Sequence, residues 1–328
     1  MRILITGGAG FLGARLARAI LARDTLTDAR GRTRPVREIV LLDVVAPPDL
    51  GDSRVRAIVG DLADAAVIDR ALTAETDSVF HLAAVVSGAA EADFELGMRV
   101  NLDGTRHLLE ACRASGHAPR LLFASSIAVF GGALPPVVTD ATTPTPQGSY
   151  GIQKLIGELL VQDYTRKGFL DGRSVRVPTV VVRPGLPNGA ASGFASGIVR
   201  EPLAGRAAVL PVPLETEMWV ASPRAVVGML LHALALAPGD WGWHRSVNLP
   251  GLTVSMHDEI AALRAVAGDA VVARIESRPD ESVMRLVRTW AARFDTGRAG
   301  ALGFVADHDF ASIVRAYVED NPGAIAAR

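Results

Sequence analysis

The chain has 328 residues, of which 49% are hydrophobic and 21% charged, with a formal charge of −1. That is enough material for one large α/β domain or two smaller ones, and the near balance of charge argues against nucleic acid or an anionic membrane as a main partner. The single cysteine, Cys112, excludes an internal disulfide and any cysteine-rich metal site, and the seven histidines show no ligand spacing, so no metal is expected.

No run of eighteen or more apolar residues occurs, and the chain opens on a strand without a charged leader, so cytoplasmic residence is the expectation. Arg2–Thr6 is apolar and β-branched, as suits a strand buried on both faces, and residues 11–22 carry apolar side chains at helical spacing. Between them Gly7, Gly10 and Gly13 stand three apart. Gly7 can take the positive φ of a tight turn, Gly10 lets backbone approach a phosphate, and Gly13 lets helix pack close to strand. The helix start at Phe11 and Leu12 then offers N–H groups and a positive dipole end to a pyrophosphate.

Residues 24–37 read as an inserted surface loop, followed by a second strand, Glu38–Asp43. An acid at that strand end can accept hydrogen bonds from an adenine ribose and repel a 2′-phosphate, which favours NAD; a solvated carboxylate is the plainer alternative. Val55–Val59 reads as a third strand ending in Gly60-Asp61-Leu62, where Asp61 can meet an adenine amino group or cap the helix at 63–72. A fourth strand, 78–82, runs into Leu82-Ala83-Ala84, whose small residues let backbone pass close to a cofactor, while His81 within it reads as a satisfied core histidine.

Residues 91–115 read as one long helix carrying Asn101 and a buried, inert Cys112. A fifth strand at 119–125 ends in Ser125-Ser126, a proline-rich turn segment leads to a helix at 150–168, and a sixth strand spans 174–183. This alternation predicts an α/β fold, a Rossmann-type doubly wound parallel sheet over residues 1–183. From 184 the texture changes. A turn-rich loop, 184–193, is followed by helices at 194–204, 222–237, 255–267 and 307–319 and by short strands at 207–212, 217–221, 246–249 and 271–276. Residues 184–328 therefore read mainly as a smaller α+β substrate lobe closing over the carboxyl edge of the sheet, some of its segments returning to the Rossmann sheet.

Tyr150-Gly151-Ile152-Gln153-Lys154 places a phenol and an ammonium one helical turn apart on one face. The ammonium favours the phenolate, so Tyr150 can move a proton to or from a substrate oxygen, Lys154 can also hold ribose hydroxyls, and the Ser126 hydroxyl can hydrogen-bond the same substrate oxygen. Tyr and Lys four apart also occur by chance, but here a nucleotide turn and a strand-end serine precede them in the order that one site requires.

The ensemble of Thr6 to Gly13, Asp43, Gly60-Asp61-Leu62, His81 to Ala84, Asn101, Ser125-Ser126 with Val129-Phe130-Gly131, and Tyr150 to Lys154 resembles the extended short-chain dehydrogenase/reductase family, the NAD-dependent epimerase/dehydratases. The resemblance covers about the first 185 residues. It implies Tyr150 as general acid/base, Lys154 as its electrostatic partner and ribose ligand, Ser126 as hydrogen bonder to the reacting oxygen, Asn101 as a supporting residue, and a cofactor contact at Pro184. It also implies a homodimer through the helices at 91–115 and 150–168.

The second half departs from the nucleotide-sugar epimerases, because Arg183 is followed by Pro184-Gly185-Leu186 instead of an aromatic pair and Asn, and Phe130 stands where Tyr is common. The run from Arg183 to Leu203 resembles instead the branch that oxidises the 2-hydroxyl of a four-carbon sugar acid, D-erythronate. A carboxylate substrate needs a cation or converging donors, for which Ser87, Arg183, Asn188, Ser196 and Arg200 are candidates. Two other readings stay open: a nucleotide-sugar epimerase or dehydratase, and a non-catalytic dinucleotide-sensing regulator.

Overall fold

Apolar residues on both faces of successive strands organise the fold. In the computed structural model, which describes residues 1–28, 31–185 and 191–326, the chain divides into two units. The first comprises Met1–Val129, Gly148–Arg176 and Val227–Val247, and the second comprises Phe130–Gln147, Val177–Val226 and Asn248 onward.

The first unit begins with β1 (Arg2–Thr6), α1 (Phe11–Arg23), the short strands β2 (Thr25–Thr27) and β3 (Thr33–Pro35), β4 (Glu38–Asp43), β5 (Val55–Val59), α2 (Ala65–Ala71) and β6 (Thr76–His81). It continues with α3 (Ser87–Ala92), α4 (Phe94–Gly97), a π-helical turn Met98–Asp103, α5 (Gly104–Ala114), β7 (Arg120–Ser126), α6 (Ser149–Arg166) and β8 (Asp171–Val177). Its sheet has seven strands in the order β5-β4-β1-β6-β7-β8, with Ser246–Asn248 beyond β8. The β1–β4, β1–β6, β4–β5 and β6–β7 pairings are all parallel. From β1 the chain first extends the sheet through β4 and β5, then returns to β6 on the other side. The topological switch therefore lies between the carboxyl ends of β1 and β6, where open α/β sheets bind ligands.

Alternation explains the burial. Leu4, Val40, Val79 and Phe123 pack with Val67 and Ile68 of α2, Leu108 and Cys112 of α5, and Val161 of α6. Ile3, Ile5, Leu41, Phe80 and Leu122, pointing the other way, are also wholly buried. Burial raises the Cys112 thiol to about 12, so it is protonated at neutral pH.

The structure revises three expected elements here. Residues 24–37 are not a plain loop: β2 and β3 pair antiparallel, and the Asp28 carboxylate closes the turn by accepting from the Arg32 amide at 3.0 Å and its guanidinium at 2.8 and 2.9 Å. The expected single helix at 91–115 is interrupted where Asp93 caps α4, its carboxylate accepting from Leu96 N–H, and where the π turn inserts a residue into the ladder. Asn101 points inward from that turn. The expected sixth strand at 174–183 ends at Val177, because Pro178 has no N–H for a ladder.

The second unit carries β9 (Thr179–Val180), α7 (Gly193–Leu203), β10 (Ala208–Leu210), β11 (Glu217–Ala221) and the start of α8 (Pro223–Ala235). After β12 (Ser246–Asn248) it continues with β13 (Leu252–Ser255), α9 (Met256–Ala267), α10 (Asp269–Val272), β14 (Ile275–Ser277), α11 (Glu281–Val287), α12 (Gly297–Ala301) and α13 (Phe310–Asp320). Strands β13-β11-β9 form one small sheet and β10-β14 another. Its core joins Ile198 and Val199, Leu210, Val220, Leu263, and Ile313 and Val314. The strand expected at 271–276 is instead α10 followed by β14, and the helical turn buries Val272 in that core. Ser255 and Asp258 make the expected capping box at the start of α9.

Candidate active site

The turn after β1 is built by absent side chains. Gly7 has φ +75°, and a Cβ there would lie 2.8 Å from the Ala83 amide nitrogen; a Cβ at Gly13 would lie 2.1 Å from the Gly7 carbonyl oxygen. The amides of Gly7 and Gly8 both donate to the Leu42 carbonyl, at 2.9 and 3.1 Å. α1 starts at Phe11 with Gly10 as its N-cap, without a side-chain cap and without an acid in its first turn. A phosphate would therefore meet amides and a positive dipole end, with no carboxylate in the first turn of the helix itself. Asp43, half-buried at the end of β4, accepts from the Ala9 amide at 2.9 Å, which places its carboxylate across this turn. These features fit a dinucleotide.

Asp61 accepts from the Ala63 amide at 2.9 Å and pairs with Arg99; the cap of α2 is Asp64, accepting from Ala66 at 2.9 Å, which corrects the capping role considered for Asp61. Leu62 is buried among the apolar residues of the first unit, and Leu82, Ala83 and Ala84 lie half-buried beyond β6.

A directed chain of hydrogen bonds links β1 to α6, the helix of Tyr150 and Lys154. The Thr6 hydroxyl accepts from the Ala83 amide at 3.3 Å and meets His81 Nδ1 at 2.7 Å. His81 Nε2 meets the Thr105 hydroxyl at 2.9 Å, and that hydroxyl donates to the Asn101 carbonyl at 2.6 Å. Since Thr105 has given its proton away, His81 must donate from Nε2, and in the neutral ring Nδ1 then accepts from the Thr6 hydroxyl. Burial, aided by the Lys154 charge, pushes His81 down to about 3, in keeping with a neutral ring. It is a satisfied core histidine. The buried Asn101 amide holds Val85 from both sides, accepting from its N–H at 2.8 Å and donating to its carbonyl at 3.0 Å, and donates to Gln153 Oε1 at 2.7 Å.

Gln153 lies in α6 between Tyr150 and Lys154. Tyr150 is half-buried in the first turn of that helix. Lys154 is 3% exposed; its Nζ donates to the Ala124 carbonyl at 2.9 Å and sits 5.7 Å from the centre of the Tyr150 ring. Burial pulls Lys154 down to about 7, against the opposing pull of Glu158. Ser126, two residues after Ala124 at the end of β7, is oriented by accepting from the Ala128 amide at 3.1 Å. One turn beyond Lys154, the buried Glu158 accepts from the Ser125 hydroxyl at 2.5 Å and from Arg176 at 2.8 and 2.9 Å. β7 and α6 are thus joined beside Tyr150 at two successive residues.

The sequence did not single out Thr105, Gln153, Glu158 or Arg176.

In the second unit, Arg183 donates from Nε to the Val180 carbonyl at 3.0 Å and from its terminal nitrogen to Ser192 at 2.8 Å. Its main chain is braced by two other candidates: Ser196, which accepts from the Arg183 amide at 3.1 Å, and Arg200, which donates to the Arg183 carbonyl at 3.0 Å and pairs with Glu201. Ser87 begins α3 in the first unit, Pro184 is half-buried, and Asn188 lies outside the described residues. Among the described residues no cluster of three or more His, Cys, Asp or Glu side chains could hold a metal, and no helix is long and apolar enough to cross a membrane.

A doubly wound sheet with a glycine turn at its switch point, together with a Tyr-x-x-x-Lys helix beside a strand-end serine, defines an enzyme of the extended short-chain dehydrogenase/reductase type that uses NAD. The chain belongs to the NAD-dependent epimerase/dehydratase family, which it matches over residues 3–219. It is 57% identical over 320 residues to the D-erythronate dehydrogenase of Cupriavidus necator, covering 98% of each chain. To the D-erythronate dehydrogenase of Haemophilus influenzae it is 44% identical over 322 residues, 97% of this chain and 99% of that one. Among solved structures, the nucleoside-diphosphate-sugar epimerase from Agrobacterium tumefaciens superposes with a TM-score of 0.93 at 44% identity, covering 99% of this chain and 95% of that one.

Proposed function

We propose that this protein oxidises the 2-hydroxyl of a small sugar acid, D-erythronate or a close relative, to the 2-oxo acid with NAD⁺. The observation that carries the chemistry is the buried Lys154 ammonium, one turn from Tyr150 and tied to the strand that ends in Ser126; the two D-erythronate dehydrogenase relatives support the substrate. The Tyr150 phenolate, favoured by Lys154, takes the hydroxyl proton, and the Ser126 hydroxyl donates to the same oxygen. NAD⁺, when bound, takes the hydride from C2.

Gly7, Gly10, Phe11, Leu12 and Gly13 are assigned to the pyrophosphate, Asp43 to the adenine ribose, Asp61 and Leu62 to the adenine, and Leu82, Ala83 and Ala84 to the dinucleotide backbone. Lys154 is assigned to the nicotinamide ribose, with Pro184 a further contact and Asn101 in support. Arg183 is assigned to the substrate carboxylate, with Ser87 and Asn188 as additional donors and Ser196 and Arg200 holding Arg183 in place. The protein is assigned to the cytoplasm as a homodimer through the helical segments 91–115 and 150–168, where Ile152 and Leu159 of α6 are 46% and 60% exposed. A monomer mass in light scattering at micromolar concentration would contradict the dimer.

The test is NADH absorbance with NAD⁺ and a panel of four- to six-carbon aldonates. NADH formation with D-erythronate, abolished by Tyr150→Phe, supports the reading, and silence across the panel overturns it. The likeness to a nucleoside-diphosphate-sugar epimerase favours a second reading, in which a nucleotide sugar is converted without net NADH.

A further inference from the structure

We propose that Phe123 and Gly157 are positioning residues for Lys154: the Phe123 ring, seated where Gly157 has no side chain, supplies the aromatic face that keeps the buried ammonium charged. Lys154 Nζ lies 4.7 Å from the centre of the Phe123 ring, within cation–π range. Phe123 is wholly buried. The ring is gripped from two sides. A Cβ at residue 157 would stand 2.6 Å from Phe123 Cζ and 2.9 Å from Cε1, closer than real Cβ contacts come, and the His81 ring lies against it at 5.4 Å and 42°.

The charged groups around Lys154 leave this face a definite task. Glu158, the carboxylate nearest along α6, hydrogen-bonds Arg176 of β8 and Ser125 of β7 and favours the ammonium only by its charge, without touching it. His81 of β6 is kept neutral by burial, and Tyr150 approaches with its ring. The ammonium therefore has one carbonyl, at Ala124, and two aromatic faces, of which Phe123 at 4.7 Å lies nearer than Tyr150 at 5.7 Å. Desolvation disfavours its charge, and the negative face of the ring offsets part of that cost.

The inference rests on the proposed reaction only for its catalytic consequence, because the titration of Lys154 can be read directly. The chain has only two lysines, Lys154 and Lys167, and Lys167 is exposed. Lysine labelled with carbon-13 at Cε therefore gives two NMR signals in the full-length protein, one of them an internal reference. Phe123→Leu and Phe123→Met, which keep most of the volume, are expected to lower the Lys154 midpoint by about one pH unit. Gly157→Ala is expected to lower it as well by pushing the ring aside, and to add little in the Phe123→Leu background.

A merely structural pair would lower the unfolding temperature and leave the Lys154 midpoint where it is; that result overturns the inference. Additive shifts would overturn the claim that Gly157 acts through the ring. If the midpoint falls and the upper limb of the kcat pH profile falls with it, both the pairing and the role of Lys154 in the reaction are supported. A midpoint that falls while the kcat profile stays put supports the pairing and counts against that role.

Discussion

Glu259 offers the sharpest test of the second unit. It lies in the first turn of α9, wholly buried, and neither carboxyl oxygen has a hydrogen-bond partner among the described residues. A helix N-terminus favours an ionised carboxylate by about 0.3–2 kcal/mol, whereas burying an unpaired charge costs several kcal/mol. Burial wins, and Glu259 is raised well above its ordinary 4.5. The sign follows from linkage. Below pH 4.5 the carboxyl is neutral in both states; above it the unfolded chain ionises while the folded one stays protonated, so stability falls by about 1.4 kcal/mol per pH unit until the folded group also titrates.

Each pH unit above 4.5 through which the folded carboxyl stays protonated thus costs about 1.4 kcal/mol. Glu259→Gln removes that dependence while leaving an amide whose own burial costs about 1–3 kcal/mol at every pH. The difference in unfolding free energy between variant and wild type, from urea titrations at pH 5, 6 and 7, should therefore move in favour of the variant by about 1.4 kcal/mol per pH unit. Parallel pH profiles would refute the reasoning, because they would mean that Glu259 ionises inside the folded protein.

Gly13→Ala drives a Cβ into the Gly7 carbonyl and is expected to abolish NAD⁺ binding measured by calorimetry and to lower the unfolding temperature. Asp43→Ser removes the carboxylate assigned to the ribose, so the preference for NAD⁺ over NADP⁺, taken as the ratio of kcat/KM values, should narrow by at least about tenfold, equivalent to ~1.4 kcal/mol; an unchanged ratio would remove Asp43 from that role. Glu158→Gln removes the buried carboxylate that pairs with the Arg176 guanidinium and is expected to cost about 3–5 kcal/mol in chemical denaturation. Asn101→Ala strands the buried Gln153 Oε1 and frees the half-buried Val85 amide and carbonyl, for an expected loss of about 1–3 kcal/mol from the buried group, read in the same assay.

Local spacing carried much of the first unit. The bounds of β1, β4 and β5 follow directly from apolar runs bounded by turn residues, and Ser149–Arg166 falls within two residues of the helix expected around Tyr150 and Lys154. The glycine turn was legible for a physical reason: three positions that tolerate no side chain leave three glycines in the sequence, and the clash at Gly13 is the contact their spacing implied. What failed was local in appearance and decided elsewhere. The ribbon β2–β3 depends on a carboxylate reaching back from Asp28, the π turn at Met98–Asp103 turns Asn101 toward Val85, and the apolar run 271–276 splits because Val272 is drawn into a core built from distant helices.

By itself the sequence determined the class of fold, the glycine turn and the pairing of Tyr150 with Lys154, because each depends on residues that are neighbours along one strand, turn or helix. Only the tertiary structure decided the environment of those residues: the neutral tautomer of His81, the bond from Lys154 to Ala124, the Phe123 ring beneath the ammonium, and the Glu158–Arg176 pair. Each of those contacts joins elements that lie far apart in the chain, and burial sets the charge of a group only after such elements have packed around it.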